Sequence, residues 1–121
     1  MSHDGILDPA ALGYLLEITG GDETFLDELI ETFLGDADEQ LGALRAAAAA
    51  GSVEALVRPS HSLKSSAANV GATRLSELSR TLEADARAGA VSSPSERVET
   101  IATEAAAVRL ALREVRGASG Q

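Results

Sequence analysis

The apolar residues of this 121-residue chain recur in steps of three and four almost from end to end, the spacing of one face of an α-helix. Phe25, Leu26, Leu29, Ile30, Phe33, Ala37, Leu41 and Leu44 form one such stripe, on a helix that Asp22 caps and that runs to about Ala50 before Gly51 stops it. A second stripe, Val53, Leu56, Ser60, Leu63, Ala67 and Val70, opens behind a Ser52 cap and closes at Gly71. Leu75, Leu78, Leu82 and Ala86 predict a further helix, ended by Gly89. After a loop, Ser93-Pro94-Ser95-Glu96 combines a capping box with proline at the first helical position, and Val98, Ile101, Ala105, Val108, Leu112 and Val115 carry the last stripe. Upstream, Asp8-Pro9 starts a short helix through about Ile18 that Gly20 and Gly21 end.

These elements predict an all-α protein: an antiparallel up-down-up-down four-helix bundle with a short extra N-terminal helix. One domain takes up residues 1–121, its helical core at about 8–116 and its frayed tails at 1–5 and 117–121. Pro59 falls inside the helix predicted behind Ser52, where a missing backbone hydrogen bond and a ring clash would cost about 3 kcal/mol, so a kink or break is expected just before residue 61.

Composition narrows the function. Apolar residues make up 45% of the chain but aromatics only 2%, so the core is expected to be aliphatic. The longest purely apolar run, Ala46 to Ala50, is far short of the roughly 20 residues that span a membrane, and it reads as close-packing helix surface. A formal net charge of −9 repels nucleic acid and anionic lipid, leaving proteins as the expected partners. The start of the chain lacks the basic and apolar regions of a secretory signal and there is no cysteine, so a cytoplasmic location is expected; Met1 favours a free-standing chain, and with no feature that requires oligomerisation a monomer is the expectation. Nucleophile elbows, phosphate-cradling glycine loops and zinc spacings are absent, and no Glu-x-x-His pair exists, so neither an enzyme with its own catalytic machinery nor a bound metal or cofactor is expected. The acidic residues Asp22, Glu23, Asp27, Glu28, Glu31, Asp36, Asp38 and Glu39 read as a solvated helix surface rather than a converging site.

Two histidines occur. His3 lies in the N-terminal tail and is given no role. His61 follows the seam residue Ser60 by one position, about 100° around the helix, which sets it beside the core and facing water. Its neighbours at helical spacing are Val57, Arg58, Lys64, Ser65 and Ala68. An imidazole titrates near 6.5, so a neutral nucleophilic nitrogen is available at cytoplasmic pH. Arg58 and Lys64 place cations where phosphorylation would add about two negative charges. Small side chains at 65 and 68 leave room for a visiting protein. Ser66 reads as a filler bonded to a carbonyl one turn earlier.

The segment Ser60-His61-Ser62-Leu63-Lys64-Ser65-Ser66-Ala67-Ala68-Asn69-Val70-Gly71-Ala72 resembles the signature of the histidine-containing phosphotransfer (HPt) family of bacterial phosphorelays. Leu75, Leu78, Leu82 and Glu83 downstream, and Gly21-Asp22, Phe25, Leu29, Phe33, Asp36 and Leu41 upstream, fit the same pattern. The resemblance implies that His61 is phosphorylated, that Lys64 stabilises the phosphoryl group and that Gly71-Ala72 makes a tight turn into the next helix. Ser65 stands where the family often has glycine. The implied function is a phosphorelay intermediate, accepting phosphate from a receiver-domain aspartate and passing it to another response regulator, with a sensor or hybrid histidine kinase upstream. Val57, Arg58, Ser65 and Ala68 are the expected docking residues. Two alternatives stand beside it: a phosphoacceptor module for a chemotaxis-type kinase, and an adaptor bundle that is never phosphorylated.

Overall fold

A computed structural model of the chain describes residues 6–8, 13, 17, 20 and 22–119. Of the short helix predicted from Asp8-Pro9 to about Ile18 only Gly13 and Glu17 are described inside it, both helical; its other residues from 9 to 18, and the tail residues 1–5 and 120–121, lie outside that set. Within it are the helices α1 (Glu23–Ala49), α2 (Val57–Asn69), α3 (Thr73–Arg87) and α4 (Pro94–Ser119), with a single 3₁₀ turn (Glu54–Leu56) leading into α2 and no strand among the described residues. Cross-helix bonds fix the directions. His61 meets Glu83 while the Lys64 carbonyl meets Ser76, Asp85 meets Arg97 while Arg74 meets Glu104, and Asp38 meets Arg109 while Arg45 meets Glu99. In each pair of helices the residue numbers run in opposite senses, so neighbours are antiparallel and α4 closes the ring on α1. No helix among the described residues is long and apolar enough to cross a membrane.

The sequence stripes meet in one core. Leu26, Ile30, Leu44, Leu56, Leu63, Leu75, Leu82, Val98, Ile101, Val108 and Leu112 are all buried, joined by Leu7 from the N-terminal segment. Only Ala47 of the alanine run is buried, so that run is mostly helix surface and not the close-packing face expected. Phe25 also departs from its stripe at 45% exposure. At 1.5 Å per residue the 27-residue α1 is about 40 Å long and the 13-residue α2 about 20 Å, so the first turn of α1 lies where α2 gives little cover.

Helix ends follow their local chemistry, with three departures. Asp22 Oδ1 accepts from the amides of Thr24 (2.9 Å) and Phe25 (3.2 Å), and Ser52 Oγ accepts from Ala55 N–H at 3.2 Å. Ser93, by contrast, sits at φ 51° and its hydroxyl makes no hydrogen bond among the described residues. Pro94 alone therefore starts α4, its fixed φ suiting the first turn, and the capping box does not form. α4 then runs past Gly117 to Ser119. A glycine inside a helix costs about 1 kcal/mol relative to alanine, too little to stop a helix already 23 residues long.

The third departure concerns Pro59. The α-helix begins at Val57, so proline is its third residue and its missing N–H is among the four that no helix satisfies internally. The expected kink or break just before residue 61 is absent: with Leu56 and Val57 both in the right-handed helical region, the helix changes from 3₁₀ to α at Val57, upstream of the proline. Ser60, next along, is fully buried with its hydroxyl unpaired. Ser60→Ala removes an unsatisfied buried polar group, and a gain of about 1 kcal/mol in urea unfolding is the expected result.

Candidate functional site

The turn between α2 and α3 positions the site. Gly71, at φ 76°, takes the left-handed conformation that closes α2: its N–H donates to the Ala68 carbonyl (3.1 Å) and the Ala72 N–H to that of Ala67 (2.9 Å). The turn expected at Gly71-Ala72 is present. Asp8 N–H donates to the Gly71 carbonyl at 2.6 Å, pinning the N-terminal segment over it. The Ser76 hydroxyl donates to the Lys64 carbonyl at 2.9 Å, so α3 returns close along α2.

That return brings Glu83 beneath His61. Glu83 lies between Leu82 and Ala86 on the buried stripe of α3, and its side chain is only 8% exposed. Oε1 takes Lys64 Nζ at 2.9 Å, and Oε2 takes Arg87 at 2.7 and 3.0 Å and His61 Nδ1 at 2.9 Å. The Lys64 ammonium above all, then Arg87 and the ring N–H, hold this carboxyl down to about 2 against the opposing effect of burial. It is therefore ionised at neutral pH and can only accept hydrogen bonds. The proton between the two groups must sit on Nδ1, and in the neutral ring Nε2 keeps its lone pair. The ring is 54% exposed and Nε2 has no hydrogen-bond partner among the described residues.

Arg58 is exposed and, unlike Lys64 and Arg87, has no carboxylate partner among the described residues. Together with half-buried Val57 and with His61, Ser62 and Arg87 it lines an open recess of about 500 Å³. Ser65 is exposed on a second hollow of about 510 Å³ that runs between α2 and α1. Ala68 is exposed but lines neither hollow. The five neighbours read from helical spacing thus separate: Lys64 turns toward α3, Val57 and Arg58 to one side of the ring and Ser65 to the other.

Two groups escaped the sequence reading. Glu83 was legible only as part of a family pattern, although a carboxylate on an apolar stripe, four residues before an arginine, is itself a signal of a buried charge with a purpose. Ser66 does not bond a carbonyl of its own helix. Its hydroxyl donates to Asp36 Oδ2 on α1 at 2.6 Å, because the antiparallel packing brings a carboxylate within reach.

An antiparallel helical bundle that holds one tautomerically fixed imidazole at its surface, backed by cations, is the architecture of a phosphotransfer carrier. The chain belongs to the Hpt domain family, which matches over residues 28–118. Its fold is similar to the crystal structure of histidine-containing phosphotransfer protein B from Pseudomonas aeruginosa, with a TM-score of 0.84 and 33% identity over 93% of this chain and 95% of that one. No curated protein sequence matches it significantly. Hpt proteins carry phosphoryl groups within phosphorelays and are not kinases, and this chain has that role.

Proposed function

We propose that His61 Nε2 accepts a phosphoryl group from the phospho-aspartate of one receiver domain and returns it to the aspartate of another. The lone pair of Nε2 forms the N–P bond while the P–O bond to the donor aspartate breaks and its carboxylate leaves with the electron pair. The proton stays on Nδ1, and the positive charge that develops on the ring faces the Glu83 carboxylate. The observation that carries this reading is the bond between Nδ1 and an ionised, nearly buried Glu83, which directs the nucleophilic nitrogen outward. Lys64 shares its charge between Glu83 and the phosphoryl group, and Arg58 offers an uncommitted one.

In this reading the chain binds no cofactor, works as a cytoplasmic monomer, has no kinase or phosphatase activity of its own, and stands downstream of a sensor or hybrid histidine kinase. Val57, Arg58, Ser65 and Ala68 contribute to the docking face. The test is to incubate the chain with a receiver domain preloaded from acetyl phosphate and to locate the transferred phosphate by mass spectrometry. An acid-labile, alkali-stable phosphate on the peptide containing His61 is expected; phosphate elsewhere, or none with any receiver, overturns the proposal. Arg58→Gln should move the transfer equilibrium back toward the receiver by about 2- to 5-fold, the strength of one exposed ion pair. Quench-flow measurement of both directions checks this.

A further inference from the structure

The groove on the α1 side of His61 has walls of two kinds. Leu29, Phe33 and Val70 are apolar, whereas Asp36, Ser65 and Asn69 are polar. The apolar character continues out of the groove to Phe25, one turn before Leu29 on α1 and 45% exposed. An exposed aromatic at the mouth of an apolar groove, beside a ring that must meet another protein, marks a surface that is covered during function.

Charge identifies what covers it. Asp36 is half-buried in the groove wall and held in place by the Ser66 hydroxyl (2.6 Å) and the Gln40 amide (3.2 Å), yet no cation among the described residues pairs with it. Glu28 and Glu39 stand exposed on the same helix, four residues before Thr32 and three after Asp36, and they too have no cation partner among the described residues. The cations near the ring, Arg58, Lys64 and Arg87, lie toward the first turn of α2 and toward α3. His61 therefore stands on a boundary, with positive charge on one side and carboxylates over an apolar floor on the other. A second copy of this chain would set acidic rows against each other, at a formal charge of −9 apiece, and a nucleic acid would meet the same repulsion.

We propose that this groove selects receivers by charge: a receiver docks with an apolar patch bordered by lysine or arginine laid along Asp36, Glu28 and Glu39, while its phospho-aspartate meets the cationic side of the ring. The polarity fixes one orientation of the visitor, and receivers lacking basic residues at that edge are turned away. This rests on the phosphotransfer reading of His61 and adds to it the kind of partner and its orientation.

Asp36→Asn tests the idea, since an amide oxygen can still accept from Ser66 while the charge is lost. The probe is a receiver that labels the wild-type chain, preloaded from acetyl phosphate, with phosphoramidate as a small donor that needs no docking. At about 0.02 M salt, where surface charges are weakly screened, the second-order transfer rate should fall roughly 3- to 10-fold, and at about 0.5 M the difference should close. The rate at saturating receiver and the labelling by phosphoramidate should stay at the wild-type level. The exposed Glu39→Gln should reproduce the salt-dependent loss on a smaller scale, which covers the case in which Asp36→Asn disturbs folding. Unchanged or faster transfer at low salt in both variants, or a slowed reaction with phosphoramidate, overturns the proposal. Failure of phosphoramidate to label the wild-type chain on His61 would instead remove the phosphotransfer reading beneath it.

Discussion

His61→Gln is expected to abolish labelling by every phosphodonor, phospho-receiver and phosphoramidate alike, while leaving the bundle folded. The loss is complete because a carboxamide nitrogen has no available lone pair to attack phosphorus, and no other ring nitrogen stands in the site. Folding survives because the imidazole is 54% exposed and its one hydrogen bond among the described residues runs from Nδ1 to Glu83. Glutamine can donate its amide N–H to the same oxygen, so the buried carboxylate keeps its partners. Circular dichroism and the urea midpoint should therefore match wild type while the transferred phosphate falls to background. Residual acid-labile phosphate in this variant would mean that the nucleophile lies elsewhere.

Glu83→Gln carries the second large effect. With the ionised acceptor replaced by an amide, Nδ1 is no longer obliged to hold the proton, and the charge facing the developing imidazolium is gone. A charge-assisted hydrogen bond of this type contributes about 1.5–3 kcal/mol, so transfer to the ring should slow about 10- to 100-fold. Phosphoramidate should report the same slowing as a phospho-receiver, because the defect lies in the ring and not in docking.

The same residue makes stability depend on pH in a definite direction. Its folded value is depressed from 4.5 to about 2, so the folded state binds fewer protons at this group than the unfolded chain across that interval. The stabilisation is fully present above about 4.5 and is lost as the pH falls toward 2. Urea unfolding at a series of pH values between 2 and 5 should show stability declining with acid in the wild type, and a shallower decline in Glu83→Gln. Equal slopes in the two proteins would show that the Lys64, Arg87 and His61 contacts do not stabilise the ionised carboxyl.

Much of the scaffold could be read in advance because it depends on local rules. Asp22, Ser52 and Gly71 act at helix ends through bonds to backbone groups within a few residues, and the stripes through Leu56, Leu63, Leu82 and Val108 follow from helical period alone. The position of His61, one step off the seam residue Ser60, belongs to the same class of inference. Pro59 was misjudged because its effect depends on where the first α-helical hydrogen bond forms. Had the helix begun at Ser52 the ring would have clashed; beginning at Val57 it does not.

By itself, then, the sequence determined four amphipathic helices, the caps at Asp22 and Ser52, the glycine stops at Gly51, Gly71 and Gly89, an aliphatic core and one imidazole placed to face water. Tertiary structure decided which partners that imidazole has. Glu83 is 22 residues from His61 and Asp36 is 30 from Ser66, and no periodic rule relates such positions until α3 and α1 pack against α2. The physical reason is that a stripe tells each helix which face to bury but leaves its rotation and sliding against a neighbour open. Only the assembled core settles both, and with them the tautomer of the ring and the charges on its two sides.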